Sequence, residues 1–69
     1  MVEVFKTDVT KKKQAKLLLS VLSRQFPFAL INFDLDDCDR ILRIEGDDFC
    51  PVKTIELLKL NGHNCLVLE

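Results

Sequence analysis

The sequence predicts an α+β domain of the ferredoxin-like type, a βαββαβ sandwich in which two helices cover one face of a four-stranded antiparallel sheet. Three observations predict it. Runs of strand length occur four times, at "VEVFK", "ALINFDL", "RILRIE" and "HNCLVLE". Stretches of helical period separate the first run from the second and the third from the fourth. Only the polar turn "DDCD" separates the second from the third, so these two form a hairpin.

Residues 2–6 alternate apolar and polar, with Val2 and Val4 on one face. Thr10 offers an N-cap hydroxyl for a helix over 11–25, in which Ala15, Leu18, Val21 and Leu22 recur at helical spacing. "FPF" at 26–28 ends it, because Pro27 cannot continue a helix and disfavours helical geometry at Phe26. The hairpin takes residues 29–45, and "GDD" breaks the chain after it. Pro51 suits the first position of a second helix, with Val52, Ile55, Leu57 and Leu58 facing inward. Gly62, in "NG", is the helix stop, and residues 63–69 form the last strand. The expected core is Leu18, Val21, Leu22, Ile31, Phe33, Leu42, Ile44, Ile55 and Leu58. Right-handed crossovers then bring three connections to one end: the strand 1–helix 1 loop, the hairpin tip and the helix 2–strand 4 loop.

Residues 1–69 are expected to be a single domain. A chain of this length buries only ~60% of its unfolded surface, so its stability margin is thin. At 48% hydrophobic and a net charge of −1 it reads as ordered. It lacks the basic surface a general nucleic-acid binder needs. Nor does it have the exposed strand aromatics of an RNA-recognition domain: "RILRIE" has none and "VEVFK" offers only Phe5. No apolar run approaches the ~20 residues that span a bilayer, and no signal peptide is evident, so no membrane role is expected. The cysteines Cys38, Cys50 and Cys65 are odd in number, widely spaced and without a CxxC, which points to a reducing, cytoplasmic setting. With a single His, no nucleophile–base spacing and no Gly-rich phosphate loop, the chain is not expected to be an enzyme.

Charge is unevenly placed. Residues 10–25 carry five basic and no acidic side chains, whereas residues 34–48 carry seven acidic and two basic ones. Lys11, Lys12 and Lys13 stand at a helix start, where the helix dipole disfavours cations. They are expected to face Asp36, Asp37 and Asp39 at the hairpin tip, and Asp8. The functional alternative is a cationic docking spot or an anion site.

Over nearly its whole length the chain resembles the heavy-metal-associated domain of small copper chaperones and metal-transporting ATPases. That family typically reads Gly-Met-Thr-Cys-x-x-Cys before its first helix. Val9 and Thr10 fall at the Met and Thr, and Ala15, Leu18, Val21 and Leu22 fall on the helix core positions. "FPFA" looks like the family's Leu-Pro-Gly-Val turn, "NFDLDDCDRILRIEGDD" like its strand–turn–strand, and "LLKLNGH" like its helix end. The resemblance puts Lys11 and Gln14 where the two metal-binding cysteines would stand. An ammonium has no lone pair to give, and an amide is a hard, weak ligand unsuited to Cu(I).

The function expected from this pattern is a non-catalytic binding or interaction module, without a resident cofactor. Its partner would be another protein, with weak homodimerisation through the sheet edges "ALINFDL" and "NCLVLE", which carry neither Lys nor Pro. The alternative is an atypical metal-binding protein that holds a metal ion such as Zn²⁺ with Cys38, His63, Asp8 and neighbouring carboxylates. Cys50, before Pro51 at a helix start, is the candidate reactive thiol, although Asp47 and Asp48 oppose the dipole there. Cys65 is expected to be an inert sheet residue.

Overall fold

The structure, a computed structural model, describes residues 1–68. The chain runs β1 (Val2–Thr7), α1 (Lys12–Gln25), β2 (Leu30–Asp34), β3 (Ile41–Glu45), α2 (Pro51–Leu60) and β4 (Cys65–Val67). All pairings are antiparallel, in the order β2-β3-β1-β4. This is the α+β ferredoxin-like arrangement that the alternation of runs predicts, with β2 and β4 at the edges.

Register explains the core. Phe5 lies opposite Leu42 and Val67, Leu42 lies opposite Phe33, and Ile44 lies opposite Ile31. These side chains share the helix-covered face, because alternate residues of a strand point to opposite sides. Phe5, Leu18, Leu22, Leu42, Ile44 and Leu58 are buried there. Ile31, Phe33 and Ile55 pack against them while half-buried. Val2 and Val4 share a face as expected, but it is the open one.

Four expectations need correction. Val21, expected in the core, is half-buried and does not join the core cluster. Val52 is 64% exposed, and Thr54 is the buried residue of that turn. Its hydroxyl donates to the Cys50 carbonyl at 3.1 Å, which removes the cost of burying it. Thr10 does not cap α1. Lys11 is the N-cap, in extended geometry, and the Gln14 side chain serves the helix start instead. Finally, β4 occupies only Cys65–Val67, because His63 and Asn64 form the link between the Asn61–Gly62 turn and the strand; Glu69 lies outside the described residues. Gly62 takes φ +83°, the Gly62 N–H donates to Lys59 and the His63 N–H to Leu58, which is a Schellman stop.

The other boundaries follow from local chemistry. Phe26 caps α1 through its N–H to the Leu22 carbonyl at 2.8 Å. Its ring is buried edge-on against Phe49, with centroids 6.2 Å apart. Cys50 is the N-cap of α2 and Pro51 opens it, so the ring costs no hydrogen bond.

Candidate functional site

The register Thr7↔Cys65, Lys6↔Ile41 and Asp34↔Ile41 gathers the β1–α1 loop, the hairpin tip and the α2–β4 loop at one end. Thr7 binds the first two together. It is buried, its hydroxyl donates to the Arg40 carbonyl, and its oxygen accepts the Val9 N–H at 3.2 Å. Arg40 takes φ +47°, the left-handed region that disfavours a side chain, and its guanidinium donates to the Leu35 carbonyl at 2.6 Å. Nothing in the patterning marks the Thr7–Arg40 bond, since its partners are 33 positions apart.

The β1–α1 loop is closed by local bonds. Val9 is fully buried in the core. The Gln14 carboxamide oxygen accepts from the backbone N–H groups of Thr10 at 3.4 Å and Lys11 at 3.3 Å. Lys11, Lys12 and Lys13 are exposed, and among the described residues none is within ion-pair distance of a carboxylate. The expected pairing with Asp8, Asp36, Asp37 and Asp39 is therefore corrected. Asp39 instead meets Lys6 at 3.7 Å, and Asp8 meets His63.

Asp8 and His63 form the second closure, with His63 Nδ1 3.0 Å from Asp8 Oδ1. A carboxylate only accepts, so Nδ1 carries the proton of this bond. Burial works against the Asp8 charge, but hydrogen bonds from the Asn64 backbone and from His63 outweigh it and hold the carboxyl below its usual value. The neighbouring Cys65 is buried, and burial, with the Asp8 charge added, pushes its thiol up to about 12. Its burial makes it a packing residue rather than an accessible thiolate.

Cys38 is exposed at the hairpin tip. Among the described residues, the group of three potential ligands with atoms within 4.8 Å of one another is Asp37, Cys38 and Asp39. The set Cys38, His63 and Asp8 is not brought together as one group. Cys50 is exposed at the α2 N-cap, and its side chain makes no capping bond.

The positions that the resemblance assigns to a metal clamp do not fit a soft ion. The oxygen of Gln14 is engaged with the backbone, and Lys11 offers only an ammonium.

Away from this end, an open groove of about 360 Å³ runs between α1 and the free edge of β2. It is lined by Ala15, Leu19, Phe33 and Leu35, with Lys12 and Lys16 on the helix side and, on the other, Asp34 at the end of β2 and Asp36 in the turn after it. Each of these residues was readable in the sequence as helix, strand or turn, but their meeting around one groove was not. Among the described residues no helix is long and apolar enough to cross a membrane.

Compared with known families and curated proteins, the chain matches no family model and no curated protein.

Proposed function

We propose that the domain is a non-catalytic protein-interaction module of the cytoplasm, similar to heavy-metal-associated domains but with Lys11 and Gln14 in place of their two cysteines. The observation that carries this reading is the bonding of Gln14. Its oxygen holds the amides of Thr10 and Lys11, so the loop is stitched to its own helix and presents no donor pair to a cation. What it presents outward is charge and a sheet edge, which are docking features.

The test is copper retention. Wild-type protein is expected to lose Cu(I) to a competing chelator, because Cys38, Cys50 and Cys65 lie on separate elements. The double variant Lys11→Cys, Gln14→Cys is expected to gain retention, since a Cys-x-x-Cys at this loop supplies two soft donors to one ion. Strong retention by wild type sinks the reading. No retention by either protein means that the clamp positions are misassigned.

One observation favours a second reading. Asp37, Cys38 and Asp39 bring three potential ligand atoms within 4.8 Å of one another. Under that reading, stoichiometric Zn²⁺ survives gel filtration in the wild type and is lost in Cys38→Ser.

A further inference from the structure

We infer that the groove beside β2 is a strand-docking site for an extended peptide with aliphatic and acidic side chains on one face and basic side chains on the other. This inference rests on the interaction-module reading and names its partner's chemistry.

β2 is an edge strand of five residues, Leu30–Asp34, paired on one side only, with β3. In an antiparallel ladder alternate residues turn their N–H and C=O outward, so this edge offers backbone bonds to an added strand. Neither Pro nor Lys blocks it. The other edge, β4, has only three residues.

The side chains then dictate what the added strand must carry. Phe33 points to the helix face and Asp34 to the open face, since Phe33 lies opposite buried Leu42 and successive residues alternate. On the helix face an incoming side chain meets Ala15, Leu19 and Phe33, and at the Asp34 end it meets Lys12 and Lys16 of the first turns of α1, with Asp36 of the hairpin turn the one carboxylate among the described residues that lines the groove beyond Asp34. Neither lysine is engaged by a carboxylate of the described chain. On the open face the same strand passes Asp34. The partner is therefore aliphatic and acidic inward, and basic outward.

A second copy of this chain does not supply that pattern. Its own β2 would bring Leu30, Asn32 and Asp34 to the open face, with no cation for Asp34. The partner is a different strand.

The experiment is an amide chemical-shift titration of the intact domain with two end-capped peptides. The probe is Lys-Glu-Lys-Val-Thr-Val, whose Glu points inward at the lysine end when the strand adds antiparallel. The control, Lys-Lys-Lys-Val-Thr-Val, differs only at that inward position. Opposite charges across a strand pair attract and like charges repel, so wild type is expected to favour the probe by about tenfold. Shifts are expected along residues 30–35 and on α1 at Lys12–Leu19. The variant Lys12→Glu, Lys16→Glu, altered only at exposed positions, is expected to reverse the preference, and Asp34→Lys to weaken both peptides. Equal affinity for the two peptides, or no binding of either at millimolar concentration, overturns the proposal. Shifts confined to residues 65–68 also overturn it, while leaving the interaction-module reading intact. Peptide-free shifts of β2 that grow with protein concentration overturn the heterotypic partner. The interaction reading itself falls on the copper test, whatever the peptides do.

Discussion

Asp8 shows how one side chain ties two loops and records it in a pH profile. Its carboxyl accepts from His63 and from the Asn64 backbone, so it joins the loop before α1 to the loop after α2. Folding favours the charged form, and the folded value lies below the ordinary aspartate value of 3.8. The stabilisation is therefore present above pH 3.8 and is lost as pH falls through the lower folded value. In Asp8→Asn that linkage is gone. Melting temperatures recorded from neutral to acid pH are expected to fall less steeply below about pH 4 for the variant than for wild type. Superimposable acid limbs would mean that the Asp8–His63 bridge contributes nothing to folding. The sequence placed Asp8 and His63 at the same end and paired them as candidate ligands, but their direct hydrogen bond was not legible: the residues are 55 positions apart and nothing in either loop's composition selects His63 over Asn64 as the partner.

At the scale of elements, burial separates residues that the sequence pattern treats alike. Leu18 in α1 and Ile44 in β3 are wholly buried, and their truncation leaves cavities that a small core cannot close. Leu18→Ala or Ile44→Ala is expected to cost ~2–5 kcal/mol in urea denaturation. Val52→Ala, at an exposed position of α2, is expected to change stability by less than ~0.5 kcal/mol. A loss at Val52 as large as at Leu18 would mean that α2 is rotated about its axis, with Val52 turned toward the core. The contrast also shows what periodicity could tell. α1 was legible because Ala15, Leu18 and Leu22 mark one face and Pro27 marks its end. α2 was legible in extent, through Pro51 and Gly62, but less so in rotation. Its apolar residues surround the helix, and the buried turn uses a threonine, which looks polar until its hydroxyl finds the Cys50 carbonyl. Phe5, Val9, Phe26 and Phe49 were missed as core for a related reason. Apart from Phe5 they sit outside the helices and strands, where no period selects them, and Phe5 sits on the strand face opposite the one that Val2 and Val4 suggest.

The whole molecule leaves one face of its sheet uncovered. Strand alternation puts Val2, Val4, Leu66 and Leu68 on that face, and the Leu68 N–H to the Val4 carbonyl, 2.8 Å, makes them neighbours. Val2, Leu66 and Leu68 are exposed, and they lie beside the β4 edge, which no Lys or Pro protects. A net charge of −1 offers little long-range repulsion between copies. Weak self-association is the expected consequence. It belongs on the β4 side, because β2 turns Asp34 to the open face and would bring a like charge from each copy. Sedimentation across a concentration series is expected to show a rising weight-average mass for wild type. Leu66→Lys puts a second cation on this face, opposite Lys6, and is expected to return the protein to monomer, while Leu30→Lys on the β2 side leaves association unchanged. Both positions are exposed, so neither substitution disturbs the core. A strict monomer at high concentration would refute the association. Loss of association in Leu30→Lys alone would move it to the β2 edge and set it in competition with the peptide groove.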